Sequence, residues 1–349
     1  MNRRRSAESR LSFQNGSAND TAGVPPAARG RAFPHMTMMP RQPAGSLKAA
    51  FRSGAFVLTA EISPPVSFER GDLLAKATPL KGLADAVNVT DGAGAKAHLG
   101  AGFAAAALAA QGIDPILQFT CRDRNRIALQ SDLIGAASAG VRNILILRGD
   151  DPSRGDQPDA RPVFDIDTVE FVKIAAGMRD RSELPTGRKI AGRADFVIGV
   201  ADMPVEPKPG WSPGALIAKV EAGAAFAQTQ FCMDAALVRR YAAALADHGI
   251  PGDFKLLVGV VPLRSARSAS WIKANLFGSI IPDAMIARME RAADPLAEGR
   301  RLCLEVLHEL AGIPGVAGAH IMAPGHDEAV PEIIAAFRAE AGSAPAGRS

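Results

Sequence analysis

The side chains best able to do chemistry stand directly after apolar runs: Glu61 ahead of Ser63-Pro64-Pro65, then Thr90-Asp91-Gly92-Ala93-Gly94, Gln118-Phe119-Thr120, Arg148-Gly149-Asp150 and Gln228-Thr229-Gln230. Glu61 has apolar neighbours on both sides, and the two prolines stiffen the chain that leaves it. That setting suits a general acid, although a carboxylate that only ties down a loop would look the same. Arg148, Gly149 and Asp150 bring both charge signs and a flexible residue to one strand end, as the floor of a ligand site requires. The Asp91–Ala95 stretch would let backbone approach a ligand closely, yet it also reads as an ordinary turn; neither GxGxxG nor a P-loop is present. Cys121-Arg122-Asp123-Arg124-Asn125-Arg126 could receive an anion, but Arg124 and Arg126 read better as the solvated start of a helix capped by Asp123 or Asn125. The six histidines contain no HExxH and the three cysteines no metal spacing, so no metal site is expected. Cys121 reads as a packing residue, since no histidine is placed by motif to activate it.

These groups need a frame that delivers them to one place. The run Ile144–Leu147 is apolar at every position, which fits a strand buried on both faces, as in a parallel sheet. Eight such runs start at Phe56, Asp85, Asp114, Asn143, Asp195, Ala225, Lys255 and Val316. The first four begin about 29 residues apart and the next three close to that after one longer interval, the length of one β/α unit. Between them lie amphipathic patterns with proper ends. Asp234 precedes the face Val238, Tyr241, Leu245 and Gly249 stops it; Ser212-Pro213 opens a helix bearing Leu216 and Val220, with Gly223 at its end. Pro282 opens an additional helix before the last strand, followed by a stripe of Cys303, Val306, Leu307 and Leu310. The pattern favours an α/β class fold, a closed (β/α)8 TIM barrel with extra helices before the last strand, over an open doubly wound sheet. Its functional groups should meet at the carboxyl ends of the strands.

Charge narrows the partners. Residues 1–47 carry seven arginines against Glu8 and Asp20, a surplus of five; the whole chain is +4, so the remainder is −1. The basic balance therefore belongs to an Arg-, Ser-, Gly- and Pro-rich segment expected to be disordered, without the amphipathic pattern of a targeting peptide, and the rest shows no nucleic-acid footprint. The expected organisation is a tail over 1–47, a catalytic barrel over 48–340 and a flexible end over 341–349. No apolar run reaches 18 residues, so no membrane span is expected. An odd number of unspaced cysteines suits reduced thiols and a cytoplasmic location.

Taken together and in order, AEISPP, VNVTDGAGA, QFTC, LILRGDDP, KVEAGAAFAQTQF and GVVPLRSAR resemble the methylenetetrahydrofolate reductase family of flavoproteins, over about Phe56 to His326. The resemblance implies a (β/α)8 barrel holding FAD at its mouth and reducing 5,10-methylenetetrahydrofolate to 5-methyltetrahydrofolate with NADH or NADPH. It implies Glu61 as the general acid that opens the bridging ring of the folate. It implies Asp150 as the carboxylate contacting the pterin and tuning the flavin, and Gln230 as the amide serving whichever of folate or nicotinamide is bound. His326 falls where an arginine often meets the folate. For the flavin it implies Thr90, Asp91, Gly92, Ala93, Gln118, Arg148, Gly149, Asp150, Met203 and Lys219. This chain departs from the commoner pattern at Asp91 (often Tyr), Gln118 (often His) and Ala218 (often basic). A homo-oligomer is expected, with an accessory subunit left open. Two other functions stay in view: a paralogue oxidising methyl-folate in a demethylation pathway, and a pterin-binding barrel without redox chemistry.

Overall fold

The computed structural model describes residues 46–343. Eight strands, β1 (Val57–Ile62), β2 (Ala86–Val89), β3 (Pro115–Thr120), β4 (Asn143–Leu147), β5 (Val197–Asp202), β6 (Phe226–Phe231), β7 (Lys255–Val260) and β8 (Val316–Ile321), close into a barrel in sequence order. Every neighbouring pair is parallel, including β1 with β8, so all eight carboxyl ends emerge on one face. The eight strands read from apolar runs are those observed, each shifted by no more than two residues.

The helices are α1 (Leu47–Ser53), α2 (Arg70–Ala77), α3 (Ala101–Ala110), α4 (Arg126–Ser138), α5 (Thr168–Arg181), α6 (Gly214–Glu221), α7 (Ala235–Asp247), α8 (Ala266–Asn275), α9 (Asp283–Arg291), α10 (Pro295–Ala311) and α11 (Ala329–Ser343). Asp234 caps α7 by accepting the Leu237 N–H at 2.9 Å, and Val238, Tyr241 and Leu245 are buried as their spacing requires. Asn125, rather than Asp123, caps α4 through the N–H groups of Ile127 and Ala128, both at 3.1 Å. Ser212 does not cap α6: Pro213 occupies the N-cap position and no side chain bonds to that helix end. The extra helices α9 and α10 are tied by Arg288, which reaches Glu298 at 2.9 Å and Glu305 at 2.6 Å. No described helix is long and apolar enough to cross a membrane.

Side chains alternate along each strand, so one set faces the helices and the other the barrel axis. The outward set (Leu58, Ala60, Ile62, Val87, Val89, Ile144, Ile146 and their counterparts) joins the large core beneath the helices. The inward set begins with a separate apolar layer contributed by seven strands: Val57, Ala86, Ile116, Leu145, Val197, Phe226 and Leu257. Leu47 of α1 completes this layer and is fully buried; its N–H donates to Asp114 at 2.7 Å, and Phe51 lies 5.6 Å from the Phe226 ring. The fold therefore includes Ser46, which caps α1, and Leu47, which the sequence reading gives to the tail. α11 likewise runs to Ser343, past the expected boundary at 340, while residues 1–45 and 344–349 lie outside the described residues.

Because Leu47 closes a layer it does not share with any helix on the outside, Leu47→Ala should lower unfolding free energy by ~2–5 kcal/mol. Urea denaturation of the variant measures this; an unchanged midpoint would show that α1 is not part of the cooperative unit.

Candidate active site

Above the apolar layer the inward positions turn polar. Thr59, Asn88, Gln228 and His320 are all buried, and they satisfy one another across the barrel axis. Asn88 Nδ2 donates to Gln228 Oε1 at 2.5 Å, and Gln228 Nε2 donates to Asn88 Oδ1 and to Thr59 Oγ1, both at 3.0 Å. Thr59 Oγ1 and His320 Nδ1 are 3.0 Å apart. One step further toward the carboxyl ends stands Glu61, half-buried, whose Oε2 accepts from Gln118 Nε2 at 2.9 Å and lies 3.5 Å from His320 Nε2. Strands β1, β3 and β8 thus meet through side chains at the proposed acid, and β6 joins them one layer below through Gln228. Of these, Gln228 is among the polar strand-end residues named from the sequence, without a role, while Thr59, Asn88 and His320 were not singled out. The available signal was periodicity: Thr59, Asn88 and Gln228 stand two residues before Glu61, Thr90 and Gln230, on the same strand faces.

The edge formed by β2, β3 and β4 is knitted by arginines. Asp91 Oδ2 accepts from Thr120 N at 2.8 Å and Thr120 Oγ1 at 3.0 Å, and pairs with Arg124. Arg122 is only 4% exposed; its Nη1 donates to the backbone carbonyls of Gly92 and Asp150, both at 3.2 Å. Its remaining N–H groups bind Asp123 through two bonds of 2.7 Å, which holds the Asp123 carboxyl below the usual carboxylate range. Gly92 (φ 67°) and Gly149 (φ 94°) need their freedom here. A Cβ at Gly92 would collide with the Arg122 guanidinium, and one at Gly149 would stand 2.8 Å from Arg122 Cβ and 3.1 Å from Thr120 Cβ. Asp150 is exposed and accepts the Gly94 N–H at 2.7 Å. Arg148, also exposed, lies over the Phe164 ring at 4.4 Å. The reading of Arg124 as a solvated helix start is corrected: it is a ligand of Asp91 and sits 5.4 Å from the Phe119 ring. Arg126 does remain peripheral, paired with Asp165 at 2.8 Å.

On the opposite side, Met203 follows β5 and Gln230 lies near the end of β6. The turn at Gly278 brings them together: a Cβ there would meet the Met203 side chain and stand 3.8 Å from Gln230 Cγ. Gln230 Oε1 accepts its neighbour's N–H, Phe231, at 3.0 Å. Lys219 donates to the Ala201 carbonyl at 2.7 Å; burial pushes its ammonium below its ordinary value, opposed by Asp202, which in turn accepts from Tyr241 at 2.7 Å. His326 is largely buried, its Nδ1 2.8 Å from Glu328 and its Nε2 without a hydrogen-bond partner. Beside it, past the ends of β7 and β8, opens a cleft of about 780 Å³ lined by Arg264, Arg267, Trp271, Leu296 and Pro324 among others. Cys121, Cys232 and Cys303 are buried free thiols that burial pushes up, to about 11, 12 and 12.

The fit of these residues to a flavin is divided. Ala93 and Gly94 are exposed, Arg148 is an exposed cation at the end of β4, and Lys219, across the mouth, keeps N–H groups beyond the one spent on Ala201; each cation is of a kind that pairs with phosphate. The space left by the missing side chain of Gly92 is filled by the chain's own Arg122, and Asp91 is already satisfied by Thr120 and Arg124.

Comparison with known proteins bears on identity. No curated protein sequence matches. Among solved structures, an uncharacterised protein from Clostridium thermocellum that binds two copies of 5-methyl-5,6,7,8-tetrahydrofolic acid superposes with a TM-score of 0.57 at 14% identity, covering 84% of this chain and 99% of that one. A 2,3-dimethylmalate lyase of the PEP mutase/isocitrate lyase superfamily follows at 0.43 and 16% identity, covering 86% of each chain. The family model described as methylenetetrahydrofolate reductase matches residues 46–338, from the cap of α1 to the middle of α11. A match of that extent, on a closed barrel whose strand ends carry the expected polar groups, places the chain in the methylenetetrahydrofolate reductase family.

Proposed function

We propose that this protein reduces 5,10-methylenetetrahydrofolate to 5-methyltetrahydrofolate with NADH or NADPH as electron source, in the cytoplasm, supplying methyl groups toward methionine. The observation that carries the reading is Glu61: a half-buried carboxyl at the carboxyl end of β1, anchored through one oxygen by Gln118, in a chain of this family. The folate-binding neighbour from Clostridium thermocellum supports the ligand class.

In this reading the protonated Glu61 gives its proton to the folate nitrogen that leaves the bridging carbon. The O–H bond breaks, an N–H bond forms, and the carbon–nitrogen bond opens to an electrophilic iminium that accepts hydride. Asp150, exposed at the end of β4, contacts the pterin; Gln230 offers its amide to folate or nicotinamide in turn. The cleft beside β7 and β8 takes the aminobenzoyl-glutamate end of the folate, with Arg264 as the cation for its carboxylates; His326, which the family resemblance points to here, is buried two residues beyond the lining Pro324. When bound, FAD supplies a two-electron carrier between nicotinamide and folate. The residues that would hold it are Thr90, Asp91, Gly92, Ala93, Gln118, Arg148, Gly149, Asp150, Met203 and Lys219.

One observation favours a second reading. Arg122 fills the space beside Gly92, so the backbone there is closed to close approach by a cofactor, which suits a barrel that binds a reduced folate without a flavin. The absorbance spectrum of freshly purified protein separates the two: a flavin band, bleached anaerobically by NADH and restored by methylenetetrahydrofolate, is expected. Colourless protein that cannot be loaded with FAD yet binds methyl-folate would select the second.

Glu61→Gln should keep methyl-folate affinity within about threefold while lowering folate turnover ~10²–10⁴-fold, the usual worth of a positioned general acid. Stopped-flow reduction by NADH should be unaffected by this change, because only the folate half-reaction consumes a proton from Glu61. Equal loss in both halves would remove Glu61 from its role.

A further inference from the structure

The buried polar layer beneath Glu61 has donors and acceptors that can be assigned one by one. Both protons of the Gln228 amide are spent, on Asn88 Oδ1 and on Thr59 Oγ1. Thr59 Oγ1 therefore accepts from Gln228 and keeps its own single proton to donate. Two acceptors stand near it: His320 Nδ1 at 3.0 Å and the Ala319 carbonyl at 3.5 Å. The shorter contact takes the proton. The other polar atom close to Nδ1 is Gln228 Nε2, at 3.4 Å, which is itself a donor. An N–H on Nδ1 could be accepted only by the second lone pair of Thr59 Oγ1, which would push the Thr59 proton onto the carbonyl at 3.5 Å; the arrangement with the shorter bonds leaves Nδ1 bare and puts the ring proton on Nε2.

We propose that His320 is a positioning residue for Glu61, held by Thr59, which Gln228 in turn fixes, with its Nε2 side toward Glu61 Oε2, so that Oε2 is the anchored oxygen and Oε1 the one that carries the reacting proton. Gln118 Nε2 occupies Oε2 at 2.9 Å and His320 Nε2 stands 3.5 Å from the same atom. Oε2 already accepts the Gln118 N–H, and the His320 Nε2 contact at 3.5 Å is a proximity rather than a formed hydrogen bond; the oxygen that accepts is the carbonyl oxygen of the protonated carboxyl, which leaves Oε1 as the site of protonation. The carboxyl plane is then set from below by β8 and from the side by β3, and its acid proton is delivered in one direction. The choice of oxygen rests on the reading of Glu61 as a general acid; the tautomer of His320 does not.

Two sets of measurements test this. In wild-type protein labelled with 15N-histidine, two-bond 1H–15N correlation spectra, with the His320 signals assigned by their loss in His320→Gln, should show a neutral ring protonated at Nε2. A ring protonated at Nδ1, or at both nitrogens at neutral pH, would overturn the proposal whatever the protein catalyses. In turnover assays His320→Asn, whose amide reaches only the Nδ1 position, should lower kcat on the order of 10- to 100-fold, the scale of a misplaced catalytic group, with methyl-folate Kd unchanged. His320→Gln, whose amide reaches the Nε2 position, should recover most of that loss. Thr59→Val should lower kcat in the same sense and Thr59→Ser should restore it, which keeps the test open should substitutions at His320 fail to fold. Equal kcat for the Asn and Gln variants, or for Val and Ser, would refute the positioning role. Absence of folate turnover in the wild type would instead count against the proposed function, with the tautomer measurement still deciding the present point.

Discussion

Polar side chains inside a closed barrel have no water to fall back on, so they persist there only when they satisfy one another. Asn88 and Gln228 meet this constraint by exchanging two hydrogen bonds across the axis, and Thr59 and His320 extend the set. The rest of the mouth is built on that floor. Were one of the amides apolar, the other would be left with buried N–H and C=O groups, at a cost of ~1–3 kcal/mol for each unpaired group. The apolar layer below, from Val57 to Leu257 and closed by Leu47, keeps this polar set dry on its other side.

The opposite half of the mouth follows a different principle. There the chain uses charge: Arg122 and Arg124 bind backbone carbonyls and carboxylates from three successive strand ends, fastening the loops after β2 and β4 to the one after β3. Arg122, buried with bonds to Gly92, Asp150 and Asp123, rigidifies what it touches, since each loop would have to give up a charge-assisted bond to move. The mouth thus has one wall set by amides and imidazole and another set by guanidinium groups. Glu61 stands with the first and Asp150 with the second.

Much of the architecture was legible beforehand because a strand buried on both faces leaves an unmistakable mark: four aliphatic residues in a row, as at Ile144–Leu147, repeated at the interval of a β/α unit. The placement of Glu61, Gln118, Asp150 and Gln230 at strand ends was legible as well, since each stands at the end of such a run. What stayed hidden depends on pairing across the barrel. Nothing local to Thr59 or His320 announces that they face each other 261 positions apart. Arg122 was hidden for the opposite reason: amid Cys121–Arg126 it looks like one of several solvated charges, and only the closure of β2 and β4 around it removes it from water. Ser212 misled because a serine ahead of a proline is a common helix start, whereas here the proline itself takes the cap position.

The plug formed by Leu47 and Phe51 has a consequence for traffic. The amino-terminal end of the axis is filled by this apolar layer, and Thr59, Asn88, Gln228 and His320 are packed above it, so Glu61 is open to approach only from the carboxyl-terminal rim. A seven-residue helix at the far end of the molecule thus belongs to the same packed column that supports Glu61 from below.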